Sequence, residues 1–264
     1  MRRNKHGLSR IIPNSVKLKI RKNSFFGCVV CCSSIFEYEH IDPEFINAMT
    51  HDPDKMTLLC PKCHQNVTSG RMSKETVKLG KEDPCPKKSG NSSDIFDIGR
   101  TMPSIKIGGR TFNNSPEPII VDGKPLFKIL PGEQQGAPFR LSGDFYNEEG
   151  KLILSIVDNE WIVHVLNTWD VDVVGPVITI RESPRKIALQ LRANPPSGLI
   201  IEKIHMRTAN MLFVGNSQTL KASVGQGSLE TLNLDAKSQV KISSDNFYPK
   251  SGPSKGPSNN GFGF

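Results

Sequence analysis

Cys28-Val29-Val30-Cys31 and, after 28 intervening residues, Cys60-Pro61-Lys62-Cys63 are the stretches whose reading decides this chain. Each Cys-x-x-Cys turn presents two sulfurs from one tight knuckle, and two knuckles complete the tetrahedral thiolate set of a structural zinc ion. Six cysteines placed at random would seldom arrange four of themselves so. Structural zinc is therefore expected on Cys28, Cys31, Cys60 and Cys63, in preference to a redox pair or buried free thiols. A short module with few apolar groups depends on such a metal to fold. Zinc ribbons and fingers share the spacing, so zinc alone implies no catalysis, and the residues between the knuckles decide.

Those residues read Glu37-Tyr38-Glu39-His40-Ile41-Asp42-Pro43 and then Lys55-Met56-Thr57-Leu58-Leu59-Cys60-Pro61-Lys62-Cys63-His64. Phe36 to His40 alternates as a strand does and Pro43 ends it. Leu58-Leu59-Cys60 leads into a short helix opened by Pro61 and carrying Cys63 and His64. Upstream, Pro13-Asn14-Ser15 opens a helix through Lys22, with Val16 and Ile20 on one side. Downstream, Ser73 is the N-cap of a helix to about Gly80, with Glu75 in its first turn. Order and separation over about residues 10–80 resemble the HNH (ββα-metal) endonuclease family, with its carboxylate-His-Ile-x-Pro segment and its Asn-Leu-x-x-Leu-Cys-x-x-Cys-His segment.

The resemblance implies that His40 is a general base and that Glu39 and His64 hold one catalytic cation, Mg2+, Mn2+ or another divalent ion. Phosphodiester hydrolysis needs both functions, a base for water and a cation for the phosphate charge. The implied products carry 5′-phosphate and 3′-hydroxyl ends. Lys55 stands where the family has its middle Asn, as a catalytic-position residue that contacts phosphate or marks a module that no longer cuts. Glu39 stands where Asp is common, displacing the ligand oxygens by about one methylene. Adjacent Glu39 and His40 point to opposite faces of a regular strand, so the strand must end or twist there. His51, in His-Asp-Pro-Asp, reads as a solvated loop histidine in preference to an extra ligand or phosphate contact, Cys32 as a spare thiol in a position often held by Gly, and Cys85 carries no assignment.

Charge is uneven. Residues 1–90 hold 16 Lys/Arg against 9 Asp/Glu, residues 91–264 hold 18 against 17, and no acidic residue precedes Glu37. A basic block beside a metal motif attracts a polyanion, so Arg2, Arg3, Lys17, Lys19, Arg21 and Lys22 are expected to grip phosphates, most naturally of double-stranded DNA. Residues 1–12 read as a flexible basic arm, 13–82 as the zinc module, and 83–93, with its Pro, Ser and Gly, as a linker unable to hold a helix.

Beyond the linker the composition changes. Short apolar runs alternate with turn signals such as Asp122-Gly123, Glu149-Gly150 and Asp158-Asn159, which predicts an all-β domain over 94–243, a sandwich rather than a solenoid because no repeat is found. Residues 244–264 read as a disordered tail. The fold class is thus α+β. The second half offers His164 and His205 but no catalytic set, Asp170 and Asp172 read as solvated strand positions, and Trp161 and Trp169 as core or interface aromatics. This half resembles regions attached to HNH modules in bacterial proteins and suggests substrate selection or a protein partner. Neither a secretory h-region nor a membrane-length apolar run is found, so a cytoplasmic setting without membrane association is expected. Three readings follow: an endonuclease, a zinc-stabilised DNA-binding protein that has lost cutting, and a β interaction unit with the zinc module as its foot.

Overall fold

The computed structural model describes residues 3–208, 210–234 and 239–247. Its N-terminal part runs α1 (Asn14–Asn23), β1 (Glu37–His40), β2 (Met56–Leu59), α2 (Pro61–Thr68) and α3 (Lys74–Glu82). Ile20 of α1 is fully buried against Met56 and Leu58, with Val16 beside it, as their four-residue spacing predicts. β1 and β2 pair antiparallel, Glu37 opposite Leu59 and His40 opposite Met56. All of β2 is buried, since α1 and α2 both pack on it. Pro61 occupies the first turn of α2, where its missing N–H is no loss. The Ser73 hydroxyl caps α3 by accepting from the Thr76 N–H at 3.1 Å.

Residues 83–93 are not a linker. They contain α4 (Cys85–Ser89) and lead into β3 (Asn91–Ile95). The prolines that argued against a helix sit at its start, Pro84 before it and Pro86 inside the first turn, and Gly90 ends it with φ 74°. Cys32 and Cys85, left without roles by the sequence, form a disulfide that ties the first knuckle to α4. The main chain adds a second tie, because Ser34 N–H donates to Ser93 at 2.9 Å and Ser93 N–H to Cys32 at 3.1 Å.

The remaining strands are β4 (Ser104–Ile107), β5 (Arg110–Phe112), β6 (Ile119–Val121), β7 (Lys124–Pro125), β8 (Phe127–Leu130), β9 (Arg140–Tyr146), β10 (Leu152–Val157), β11 (Glu160–His164), β12 (Asp170–Val174), β13 (Val177–Ser183), β14 (Lys186–Asn194), β15 (Gly198–Thr208), β16 (Met211–Asn216), β17 (Leu220–Val224), β18 (Glu230–Thr231) and β19 (Val240–Ile242). One sheet runs β3-β11-β10-β9-β8 and a larger one meanders from β12 to β18. The first residues of β15 also pair parallel with β4, which carries β5. Gly198 is obligatory there, because a Cβ would lie 1.9 Å from the Ser104 carbonyl. Both sheets bury their apolar sides in one core that includes Phe127, Phe145, Trp161, Ile180, Leu191 and Phe213. Antiparallel meanders around a shared core make a sandwich-like unit, not a solenoid of stacked coils. After β19, Ser244–Phe247 forms a turn of 3-10 helix within the stretch read as a disordered tail; residues 248–264 lie outside the described residues.

Three further expectations fail for one reason, that groups read as free for solvent or phosphate are paired within the fold. Arg21 is not a phosphate contact: it is 7% exposed and makes a two-pronged bond to Asp170, Nε to Oδ1 and Nη2 to Oδ2 both at 2.8 Å. Its Nη1 also donates to the Tyr38 hydroxyl at 2.7 Å and lies 3.3 Å from Asp172. Asp170, read as solvated, is 3% exposed. Lys22 packs over the Trp169 ring at 3.8 Å beside this pair. The N-terminal segment is likewise not a free arm. Arg3 and Ser9 form an antiparallel bridge, and the Asn4 amide donates to the carbonyls of Phe45 and Ala48 at 2.6 Å each while its oxygen accepts from the N–H groups of His6 and Leu8.

Removing one partner of a buried ion pair strands the other, at a cost of about 3–5 kcal/mol. Arg21→Ala is expected to lower unfolding stability by that order in chemical denaturation. Arg21→Met combined with Asp170→Leu should recover most of the loss, since no charge is then left buried. A change below about 1 kcal/mol for the single variant would place the pair with ordinary surface bridges.

Candidate functional site

The two knuckles converge. The sulfurs of Cys28, Cys31, Cys60 and Cys63 all lie within 4.8 Å of one another, with Cys31 and Cys60 at 3.5 Å. Three of the four are buried, and Cys31 is exposed. The first knuckle closes through the Cys32 N–H donating to the Cys28 carbonyl at 3.0 Å, with Cys32 itself at φ 63°. The second is the start of α2, where the Cys63 N–H donates to the Cys60 sulfur at 3.3 Å. The Val29 N–H donates to the Leu58 carbonyl and so docks the first knuckle on β2. Hydrogen bonding from Cys31 holds the Cys28 thiol down at about 5; the same contact, with burial, pushes Cys31 up, and burial pushes Cys63 up to about 12. Four sulfurs this close cannot all ionise unaided, and a soft divalent cation such as zinc is what this donor set can hold.

A cleft of about 820 Å³ is walled by β1, α2, the N-terminal segment and the loop that carries Phe45 and His51. Strand alternation places Glu37 and Glu39 on one face, and both reach His64 on α2: Glu37 Oε2 lies 2.9 Å from Nδ1 and Glu39 Oε2 3.1 Å from Nε2. Burial pushes the Glu39 carboxyl above its ordinary range, His64 opposing and Glu37 and Glu44 adding to the shift. His40 is the last residue of β1 and lines the same cleft. Burial, together with His51, lowers the His40 pKa and favours its neutral form.

His51 is a half-buried member of the cleft and not a solvated loop residue. Its Nδ1 is 3.1 Å from His40 Nε2, and its Nε2 is 2.8 Å from the Ser9 carbonyl. The Phe45 ring stacks on His51 with planes 14° apart and meets His40 edge-on, while the Arg10 guanidinium lies 4.6 Å above Phe45. Sequence reasoning assigned no site role to Glu37, Arg10 or Lys74 and took His51 for a solvated loop residue, yet all four line the cleft. The two-residue spacing of Glu37 from Glu39 was the available signal for the first, the basic block for Arg10 and the His-Asp-Pro-Asp loop for His51; nothing local marks Lys74.

Lys55 is not brought to the cleft. Its side chain is exposed in a separate depression with Asp42, Asp54, Lys78 and Lys81, and its contribution is a main-chain carbonyl that accepts from the Ile41 N–H at 3.0 Å. Of the expected phosphate contacts, Arg3 lines the cleft and Lys19 and Lys22 are exposed on α1. Lys17 lies 5.4 Å over the Tyr38 ring, Arg21 is committed to Asp170, and Arg2 falls outside the described residues. In the β unit, Glu148, Glu182 and His205 approach one another, but Lys186 already pairs with both carboxylates. Among the described residues no helix is long and apolar enough to cross a membrane.

No protein-family model, no curated protein and no solved structure matches this chain.

The purified protein is expected to carry metal at the cysteine tetrad. Cys28→Ser and Cys63→Ser should lose it by elemental analysis and lower the melting temperature, as should a strong chelator. Cys32→Ser should keep the metal while losing the bridge to Cys85. Loss of metal from Cys32→Ser but not from Cys63→Ser would contradict this ligand set.

Proposed function

We infer that this protein is a metal-dependent endonuclease of the HNH type acting on DNA, with His40 as general base and Glu39 and His64 as ligands of a single divalent cation. The observation that carries the reading is one cleft lined by an uncharged-favouring histidine, a carboxylate–histidine pair on a β-β-α unit, and the cations Arg3, Arg10 and Lys74. Glu39 and His64 are the residues that would hold this cation, Glu39 Oε2 and His64 Nε2 lying 3.1 Å apart. Such a cation, when bound, supplies charge stabilisation to the phosphate and the leaving oxygen. Glu37, accepting from the His64 Nδ1–H, then fixes the ring so that Nε2 faces the ligand position.

The chain's own groups divide the remaining work. Neutral His40 takes the proton from an attacking water. Arg3, Arg10 and Lys74 ring the cleft and attract a phosphate backbone, Lys74 tempered by its pairing with Glu44. Exposed Lys19 extends the positive field along α1. The β sheets serve as the frame against which α1 is held through Arg21 and Asp170.

Supercoiled plasmid with Mg2+ or Mn2+ tests this directly. Wild type is expected to nick or linearise it, and His40→Ala at equal zinc content to slow cleavage by about 10²–10⁴-fold. Binding without cleavage by both would make the protein a DNA-binding module, and neither binding nor cleavage would leave the β unit as the functional part. Arg10→Ala should weaken DNA binding across sequences and reduce the salt slope by about 1, read from titrations at several salt concentrations.

A further inference from the structure

We propose that His51 is a positioning residue for His40: it holds the His40 proton on Nε2 and so leaves Nδ1 as the proton acceptor in the cleft. The proposal deepens, and rests on, the reading of His40 as the base. Its logic is a chain of donors and acceptors that begins outside both histidines. The Ser9 carbonyl can only accept, so the His51 Nε2 that faces it at 2.8 Å must carry hydrogen. In neutral His51 the other nitrogen, Nδ1, is then a lone pair. His40 Nε2, 3.1 Å away, can pair with it only by donating. The single proton of neutral His40 is thereby spent on Nε2, and Nδ1 keeps its lone pair. Among the described residues Nδ1 has no hydrogen-bond partner, while the ring lines the cleft.

Packing makes the chain stiff. Phe45 stacks on His51 and stands edge-on to His40, which restricts ring flips of both. The Ser9 carbonyl is itself placed by the Arg3–Ser9 bridge and by Asn4, which anchors the N-terminal turn to Phe45 and Ala48. A base is useful only in the tautomer and orientation that aim its lone pair at the substrate side, and in related logic a hydrogen-bond partner behind a histidine fixes both.

The test uses uniformly nitrogen-15-labelled, zinc-loaded full-length protein and two-bond nitrogen–proton correlation spectra at neutral pH, which report which ring nitrogen carries hydrogen. Wild type is expected to show both His40 and His51 protonated at Nε2 alone. In His51→Ala the His40 signals should move to the averaged values of two exchanging tautomers, with zinc content and amide dispersion unchanged. His51→Asn, whose side-chain oxygen accepts in place of Nδ1, should restore the pattern. On plasmid, His51→Ala should lose on the order of 10²-fold in kcat with KM little changed, and His51→Asn should recover part of it. A His40 that keeps the same tautomer in His51→Ala, or that carries its proton on Nδ1 in wild type, overturns the proposal, and the wild-type spectrum decides even if the alanine variant does not fold. The expected tautomers in a protein that cuts no DNA would support the His51 assignment and overturn the nuclease reading instead.

Discussion

Four sulfurs brought within 4.8 Å of one another, three of them buried, impose a constraint on everything around them. The apolar cluster at the knuckles is small, with Val29, Ile41, Leu59 and Val77 as its main non-cysteine members. A cluster of that size does not by itself order the backbone of two knuckles and two helices against their conformational entropy. A cation on the sulfurs does, because its binding energy becomes folding energy. It would also set the local geometry: β2 ends at Leu59 and α2 begins with Pro61, so Cys60, which joins strand to helix, fixes where His64 sits relative to β1.

The second constraint reaches across the chain. Arg21 satisfies both oxygens of Asp170 and the hydroxyl of Tyr38 in one planar fork, a geometry lysine cannot supply. Tyr38 lies between Glu37 and Glu39 on β1, so the strand bearing the carboxylates is tied from its other face to α1 and to β12. The Cys32–Cys85 bridge ties the first knuckle to α4, and the main-chain bonds of Cys32 and Ser34 with Ser93, with the Ser34 hydroxyl donating to that of Ser92, anchor it to β3 of the five-stranded sheet. The N-terminal module and the β unit thus share covalent, ionic and main-chain connections, and residues 83–93 are part of the joint.

What could be read in the sequence is what is encoded locally. The sulfur set follows from two short spacings, β1 from alternation, α2 from Pro61 and α3 from Ser73, and each of these elements stands where local chemistry puts it. The β character of the second half follows from turn signals, though not its sheet order. What escaped was the pairing of residues far apart. Arg21 and Asp170 are 149 positions apart, and nothing about either residue alone says that a basic run and an acidic strand will bury a pair. Asn4 and Ser9 matter only because the N-terminal turn folds back on Phe45 and His51. Prolines at residues 84 and 86 misled because the same residue that breaks a helix interior is welcome in its first turn.

These long-range pairings also redistribute the charge that first suggested a polyanionic ligand. The eight cations before residue 23 are not equivalent. Arg21 is neutralised by Asp170, and Lys17 and Lys22 lie over Tyr38 and Trp169, where the aromatic faces hold them in place without cancelling their charge. Arg3 and Arg10 stand at the cleft, Arg10 braced by Phe45 and joined from α3 by Lys74. A field depends on where charge sits and how well it is compensated, not on how many basic residues a segment contains. Folding the N-terminal turn onto the loop of Phe45 and His51 therefore does two things at once: it places positive charge beside the carboxylates that would otherwise repel a phosphate, and it supplies the carbonyl that begins the histidine chain. The segment with the weakest local signal in the module is the one that completes its site.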